Sequence, residues 1–495
     1  MEALGARNGT QGCHYFSLRS IFCLPLIVYV ATLYICNDQR SMVLLLSSSI
    51  ITIILLLLSF FFFLTTVDAF LTNKNHNNQL INMRRRSSCV DEAQPHVEAL
   101  LLPPGMDGVH VGVPLESTAL YEMEQLKITK VFVMANKSSK PLVENFVKTL
   151  EEKGILAAPI NCDVSMGGAE DGLLKACNEA VAVNADCVLT IGGGAVQDAG
   201  KLVRLWLAAA DGELATVKGI QAAQNRDPMP PLPPQICCPN SFAMAELTHV
   251  AGLVTKDNVK SGAVHPSMMP TVVIFDTTLS RGLPDWVRFG TALRGIEHAI
   301  GAICHPNATT DIRTRALEGL ELVNKGLNGM VENADSEKAQ VNCYLGGWMA
   351  IRALNTGCYP SIAHLIQNHY SGRFHVHQGS CSGILSARIL HYHRAESLLC
   401  QLSIARVLDV GSDIIIDRKQ PLPPAAQLVS DLVATLPGVA KDHDNANVDD
   451  EMLRDFAEYM YSQHGEKLNR LCPKPFCNAE EFLEMLTLPT AGLSA

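Results

Sequence analysis

An apolar run of strand length, Cys187–Val188–Leu189–Thr190–Ile191, ends in three consecutive glycines, Gly192, Gly193 and Gly194, and a helix-compatible run continues to Leu207. Glycines at such a junction let a phosphate come against the backbone, where the first N–H groups and the positive end of the new helix face it. Asp198 and Lys201 lie one turn apart on that helix, and both can point back at a ligand above the glycines. Two further short polar groups close strand-like runs. Asn136 follows 130–135 and is placed either to meet a ribose hydroxyl or simply to turn the chain. Asn240 and Ser241 follow 235–238 and suit a phosphate or a nicotinamide amide.

These groups need a scaffold, and the surrounding sequence supplies one. Strand-like runs at 109–113, 130–135, 155–160, 186–191 and 270–276 alternate with helical patterns at 115–126, 141–153 and 168–183. That alternation predicts a parallel sheet covered on both faces, with ligands at the carboxyl ends of its strands. A GxGxxG fingerprint is absent from this stretch, so the cradle is not the ordinary dinucleotide one. The proline-rich strap 227–234 can be neither helix nor central strand, and reads as a rigid surface connection delivering 235–238.

The chain has 495 residues, room for two domains and an appendage. A net charge of −10, without a basic stripe carrying aromatics, argues against nucleic acid as a partner. The sixteen cysteines have no CxxC pair or regular framework, so they read as buried free thiols. Residues 1–97 read as a targeting or anchor segment. The run 43–67 carries no charge and is long enough to span a bilayer, so contact with a membrane through it is one expectation. The other takes Met42 as the start, 42–69 as a signal peptide and the acid-free, Arg84–Arg85–Arg86-containing run from Phe70 as a transit peptide. That arrangement resembles the bipartite presequences of algae with complex plastids.

From Gly108 onward the order of blocks resembles the iron-containing alcohol dehydrogenase superfamily. Asp186 to Lys201 resembles the family's D-x-x-x-x-x-GGGS-x-x-D-x-x-K block, with Ala195 in the place of the serine. Residues 239–248 resemble the P-T-T-x-x-x-S-E-x-T block, with spacing nearest the maleylacetate reductase branch. Residues 270–276 with Leu283–Pro284 resemble the boundary between that family's two domains. The resemblance implies an α/β nucleotide-binding domain over 98–282 and an all-helical domain over 283–495, with the active site in the cleft between. It also implies hydride transfer between an alcohol and a carbonyl, with NAD(H) or NADP(H) as cofactor. The nicotinamide would then lie near Asn240, Ser241 and Met244, and the diphosphate on Gly192–Gly194.

The second half reads as helical for long stretches, at 290–304, 311–330, 337–356, 379–393, 425–436, 449–464 and 479–486. Metal-bearing members of the family hold a divalent ion with an Asp and a His four residues apart on the first of these helices and two later histidines. Here His298 falls on the histidine position but Arg294 stands where the Asp belongs, and Pro360 takes the first later position. His364 matches a family histidine, and His377 matches another approximately. With two of the four positions lost, the expected metal is none. The maleylacetate reductase branch also lacks that Asp, and its substrate is a dicarboxylic keto acid. On that precedent Arg294 would hold a substrate carboxylate or polarise a carbonyl, and His298, His364 or His377 would give the proton. The alternative is a non-catalytic nucleotide-binding descendant tethered at a membrane. A homo-oligomer is compatible with either.

Overall fold

In chain order the elements are β1 (Gly108–Val111), α1 (Leu115–Gln125), β2 (Val131–Ala135), α2 (Lys140–Glu152), α3 (Glu170–Ala182), β3 (Cys187–Gly192), α4 (Gly194–Ala209) and α5 (Val217–Ala223). Then follow β4 (Gln235–Pro239), the pair β5 (Val250–Val254) and β6 (Lys260–Val264), and β7 (Val272–Phe275). Beyond these lie α6 (Asp285–Cys304), α7 (Thr310–Glu332), α8 (Glu337–Asn355), α9 (Ile362–Phe374), α10 (Gln378–Tyr392), α11 (Leu398–Asp409), α12 (Ala425–Thr435), α13 (Asp450–Leu471) and α14 (Ala479–Thr487). This computed structural model describes residues 102–164, 170–257, 260–409 and 424–489, all within the compact unit Ile81–Ala495. The expectations placed on 1–97 lie outside the described residues. No helix among the described residues is long and apolar enough to cross a membrane.

Five parallel strands form one sheet in the order β1-β7-β4-β3-β2. Strands β2 (VFVMA) and β3 (CVLTIG) are buried at every position, because parallel strands are covered on both faces. On one face Leu173, Leu202, Val203, Trp206 and Ile220 pack onto Phe132 and Val188. On the other, Leu115, Met123, Phe146 and Leu150 pack onto Val133 and Leu189. The register sets Gly192 beside Pro239, so β3 and β4 end together and their following loops meet.

In the helical half, every residue of α6 from Arg288 to Ile303 is buried, the mark of a central helix packed on all sides. Helices α7 and α8 approach each other where side chains are missing: a Cβ on Gly346 would lie 2.7 Å from the Gly319 carbonyl oxygen.

One local expectation is corrected, and two elements were not foreseen. The run 155–160 is not a full strand but makes two isolated bridges, Leu156 to Val131 and Asn161 to Met134. Pro159 within it has no N–H for the ladder. The β5/β6 hairpin was not foreseen, since Gly252 and Gly262 opposite each other blur its alternation. Helix α11 was also missed.

Helix α4 is seated on the sheet through Gly200. A Cβ there would come 2.4 Å from Thr190 Cγ2 and 2.5 Å from Gln235 Nε2. Neither neighbour is free to swing, because Thr190 Oγ1 donates to Gln197 Oε1 (2.6 Å) and Gln235 Nε2 donates to the Gln197 carbonyl (3.0 Å). Gly200→Ala is therefore expected to lower stability by about 1–3 kcal/mol, as overpacking does. Urea unfolding measures it, and an unchanged midpoint contradicts this packing.

Candidate active site

The cradle forms where β3 passes into α4. Gly193 is the N-cap of α4 and offers no side-chain cap, which leaves the N–H groups of Gly194 and Ala195 for a ligand. Asn136 is corrected from a ribose contact to a brace, since its Oδ1 accepts the Gly193 N–H at 2.8 Å. That bond needs Gly192, whose Cβ would fall 2.1 Å from the same oxygen. Asn240 is likewise a brace, its Nδ2 donating to Ser139 Oγ at 2.9 Å in a buried setting. Ser241 is buried with its Oγ close to Gly193, 3.4 Å from where a Cβ would stand.

Lys201 and Asp198 do not reach over the glycines as the spacing suggested. Lys201 is fully buried, and its Nζ donates to the carbonyls of Ala245 (2.6 Å) and Val250 (2.7 Å) and to Asp198 Oδ1 (2.9 Å). Asp198 Oδ2 accepts from the Gly252 N–H at 3.0 Å. Together they tie α4 to the loop between β4 and β5. Met244 is corrected too. It is left-handed (φ 60°) and buried, with its Sδ filling the space that a Gly347 Cβ would occupy on α8. With the Phe242 N–H donating to Thr291 Oγ1 at 3.1 Å, it joins the cradle loop to the helical half.

On the helical side, Arg294, Glu297 and His298 come from α6. Arg294 Nη1 donates to Gln378 Oε1, and Gln378 is itself held by Nε2 donation to Asn368 Oδ1 at 3.2 Å. No ion pair of Arg294 with Glu297 forms. Glu297 Oε1 instead accepts from Ser361 Oγ at 3.1 Å, and its Oε2 lies 3.3 Å from His298 Nδ1. Burial pushes the Glu297 carboxyl up to about 7, against the pull of Arg294 and Ser361. Burial, with Arg294 and His364 adding to it, holds His298 well below the ordinary histidine value. His364 Nε2 lies 3.1 Å from Tyr359 Oη, and its ring centroid is 5.4 Å from that of His298.

His377 is the N-cap of α10, its Nδ1 accepting the Gly379 N–H, with Trp286 edge-on at 4.9 Å. Burial, helped by Arg294, pushes it down to about 4. Asp198 on the cradle helix bears electrostatically on Tyr359, in the turn before α9. His393 is buried, and its Nδ1 bonds the Ile389 carbonyl. Every cysteine among the described residues is a free thiol.

The glycine cradle, uncapped and without side chains, fits a diphosphate. The family's four-ligand metal set does not fit these residues, because Arg294 has no lone pair to give and Pro360 no side-chain donor. A different trio, Glu297, His298 and His364, brings its ligand atoms within 4.8 Å of one another. The Arg294 charge acts on both Glu297 and His298 and would stand against a dication there. Sequence reasoning passed over Glu297 and Ser361 as parts of this cluster, and gave Tyr359 no role. Their signal was adjacency to matched positions.

A nucleotide cradle at the carboxyl edge of a parallel sheet, opposed by a helical half rich in buried histidines, is the architecture of a dinucleotide-dependent oxidoreductase. Residues 111–277 match the family described as iron-containing alcohol dehydrogenase, and 290–480 match its C-terminal part. The chain belongs to that family of oxidoreductases. It is 26% identical over 228 residues to a maleylacetate reductase of Rhizobium sp. (strain MTP-10005), covering 46% of this chain and 57% of the relative. It is 25% identical over 326 residues to alcohol dehydrogenase 4 of Schizosaccharomyces pombe, covering 64% and 73%. A third relative, an NAD-dependent methanol dehydrogenase of Bacillus methanolicus, is 25% identical over 203 residues, covering 41% and 51%. The chain thus spans less than two thirds of the length of the first of these. Its fold is similar to the alcohol dehydrogenase of Oenococcus oeni (TM-score 0.66, 17% identity, 78% of this chain and 98% of that one). It is also similar to the maleylacetate reductase of Agrobacterium tumefaciens (TM-score 0.62, 20% identity, 78% and 96%).

One buried acid on the cradle loop gives a pH signature. Burial pushes Glu246 up to about 7 from an ordinary 4.5, against the pull of its own backbone N–H and Lys201. The folded chain therefore holds this proton more tightly than the unfolded one. The contribution to stability is complete below pH 4.5 and is lost as pH rises through 7. Glu246→Gln is expected to flatten the fall in urea midpoint over that interval. Equal slopes in both proteins would count against this placement of the carboxyl group.

Proposed function

We propose that this chain is an NAD(P)H-dependent reductase of a small carbonyl or keto-acid substrate that works without the family's usual metal. The observation that carries the reading is the place of the Arg294 guanidinium. It is buried, bonded to Gln378, and acts electrostatically on Glu297, His298, Tyr359 and His377 at once. A guanidinium keeps its charge at any working pH, so the cleft holds a fixed cation beside two positions where relatives place metal ligands. At about 4 Å and an effective dielectric constant of about 20, a unit charge interacts with it by roughly 4 kcal/mol. That favours an oxyanion or a substrate carboxylate and opposes a dication.

The backbone of Gly192–Gly194 and the first turn of α4 would hold the diphosphate, with Asn136 fixing the Gly193 N–H. When bound, the reduced nicotinamide supplies a hydride. Arg294 orients the acceptor and stabilises negative charge growing on its oxygen. His298 is too deeply buried, and His377 too weakly basic, to carry a proton at neutral pH. The names of the relatives support the reaction class, and the precedent of a metal-poor branch supports the absence of an ion. The address read in residues 1–97 is part of this proposal, and N-terminal sequencing of the mature protein tests it.

Gly193→Glu is expected to abolish the fluorescence change on titration with NADH or NADPH while the circular dichroism spectrum is kept. Retained binding would refute the cradle. A screen of short-chain aldehydes and keto acids is expected to find turnover that EDTA does not alter. A rate that chelation removes and a divalent ion restores would overturn the metal-free reading. Tight cofactor binding without turnover on any acceptor would favour a non-catalytic descendant.

A further inference from the structure

The groups best placed to donate a proton in this cleft are not the histidines on which the sequence centred. Arg294, Glu297, His298 and His364 are all buried, whereas Tyr359 is 41% exposed and stands at the front of the cluster. Its Oη is 3.1 Å from His364 Nε2. The backbone at His364 is fixed from behind: Ser361 Oγ accepts the His364 backbone N–H at 3.1 Å and donates to Glu297 Oε1 at 3.1 Å. The turn Tyr359–Pro360–Ser361 thus leaves a phenol partly exposed, while its other end locks into α6. Where relatives of the metal-bearing kind present an imidazole to an ion, Pro360 presents nothing and its neighbour presents a hydroxyl.

We propose that Tyr359 donates the proton in the reduction proposed above, with its hydroxyl oriented by His364 Nε2. The proposal rests on that reductase reading. As the carbonyl carbon accepts the hydride that the reduced cofactor supplies, the C=O π pair moves to oxygen. That oxygen forms a bond to the Tyr359 proton, and the phenolic O–H bond breaks to leave a tyrosinate. The tyrosinate regains a proton from solvent, to which its partly exposed ring is open. One carbonyl, one hydride and one proton give one alcohol.

The surroundings suit this role. Burial holds the phenol above its ordinary value, with Glu297 and Asp198 acting in the same sense, so it carries its proton at neutral pH. Arg294 acts in the opposite sense and steadies the tyrosinate once it forms. These three groups, on α6 and α4, and His364 on α9 are the ionisable neighbours that face it.

The test is Tyr359→Phe in the full chain, which removes one oxygen from a partly exposed ring. Reduced-cofactor fluorescence titration is expected to give an unchanged Kd. With an acceptor from the screen, kcat is expected to fall by about a hundredfold or more, the usual worth of a positioned acid. KM is expected to stay within about threefold, and the solvent deuterium isotope effect on kcat to change. Wild-type-like kcat in the variant overturns the proposal alone, and so does loss of cofactor binding, which would mark the hydroxyl as structural. No turnover by the wild type on any acceptor, with cofactor bound, overturns the reductase reading and this one with it.

Discussion

A single buried ammonium group sets the relation between cradle and cleft. Lys201 leaves α4 sideways and grips the Ala245 carbonyl in the loop between β4 and β5 and the Val250 carbonyl that opens β5, with Asp198 closing the arrangement onto Gly252. An ionised amine is stable in such a place only when charge and hydrogen bonds surround it. The geometry of the loop is therefore dictated by the helix that opens the nucleotide cradle. That same loop carries Ser241, Phe242 and Met244 across into the helical half. Displacing the ammonium would disturb both sides of the cleft, although it touches neither ligand.

The second half is organised around a charge of the other kind of usefulness. Arg294 sits on a helix buried along its length and bonds an amide rather than a carboxylate. Its field is not cancelled locally, and its effects are felt at four ionisable neighbours. Glu297, Ser361 and His364 form a chain of contacts that links α6 to α9 and fixes the turn between α8 and α9. Arg294 is thus bonded to an amide while its charge pulls on the Glu297 carboxyl beside it.

Much of this was legible in the sequence. The parallel sheet followed from fully apolar runs alternating with helical patterns, because a strand covered on both faces has no polar side to show. The three glycines at the end of β3 announced the cradle, and the order of later blocks announced the helical half. What stayed hidden was direction. Spacing places Asp198 and Lys201 on one helix face, but not whether that face looks at a ligand or at a neighbouring loop. Asn136 and Asn240 stood at the correct strand ends, yet their amides were taken up by the protein's own N–H and hydroxyl groups. Tyr359 was invisible for a different reason: its partner His364 is five residues on, and only the folded turn brings hydroxyl and imidazole together.

The sulfur of Met244 lodged against Gly347 has a mechanical implication. A slot defined by a missing side chain accepts one shape in one position, and the left-handed backbone beneath it leaves little slack. The loop is fastened at once to α4 through Lys201 and to α8 through Met244, so it couples the two halves. A ligand arriving on the glycines thus meets one wall already riveted to the far side.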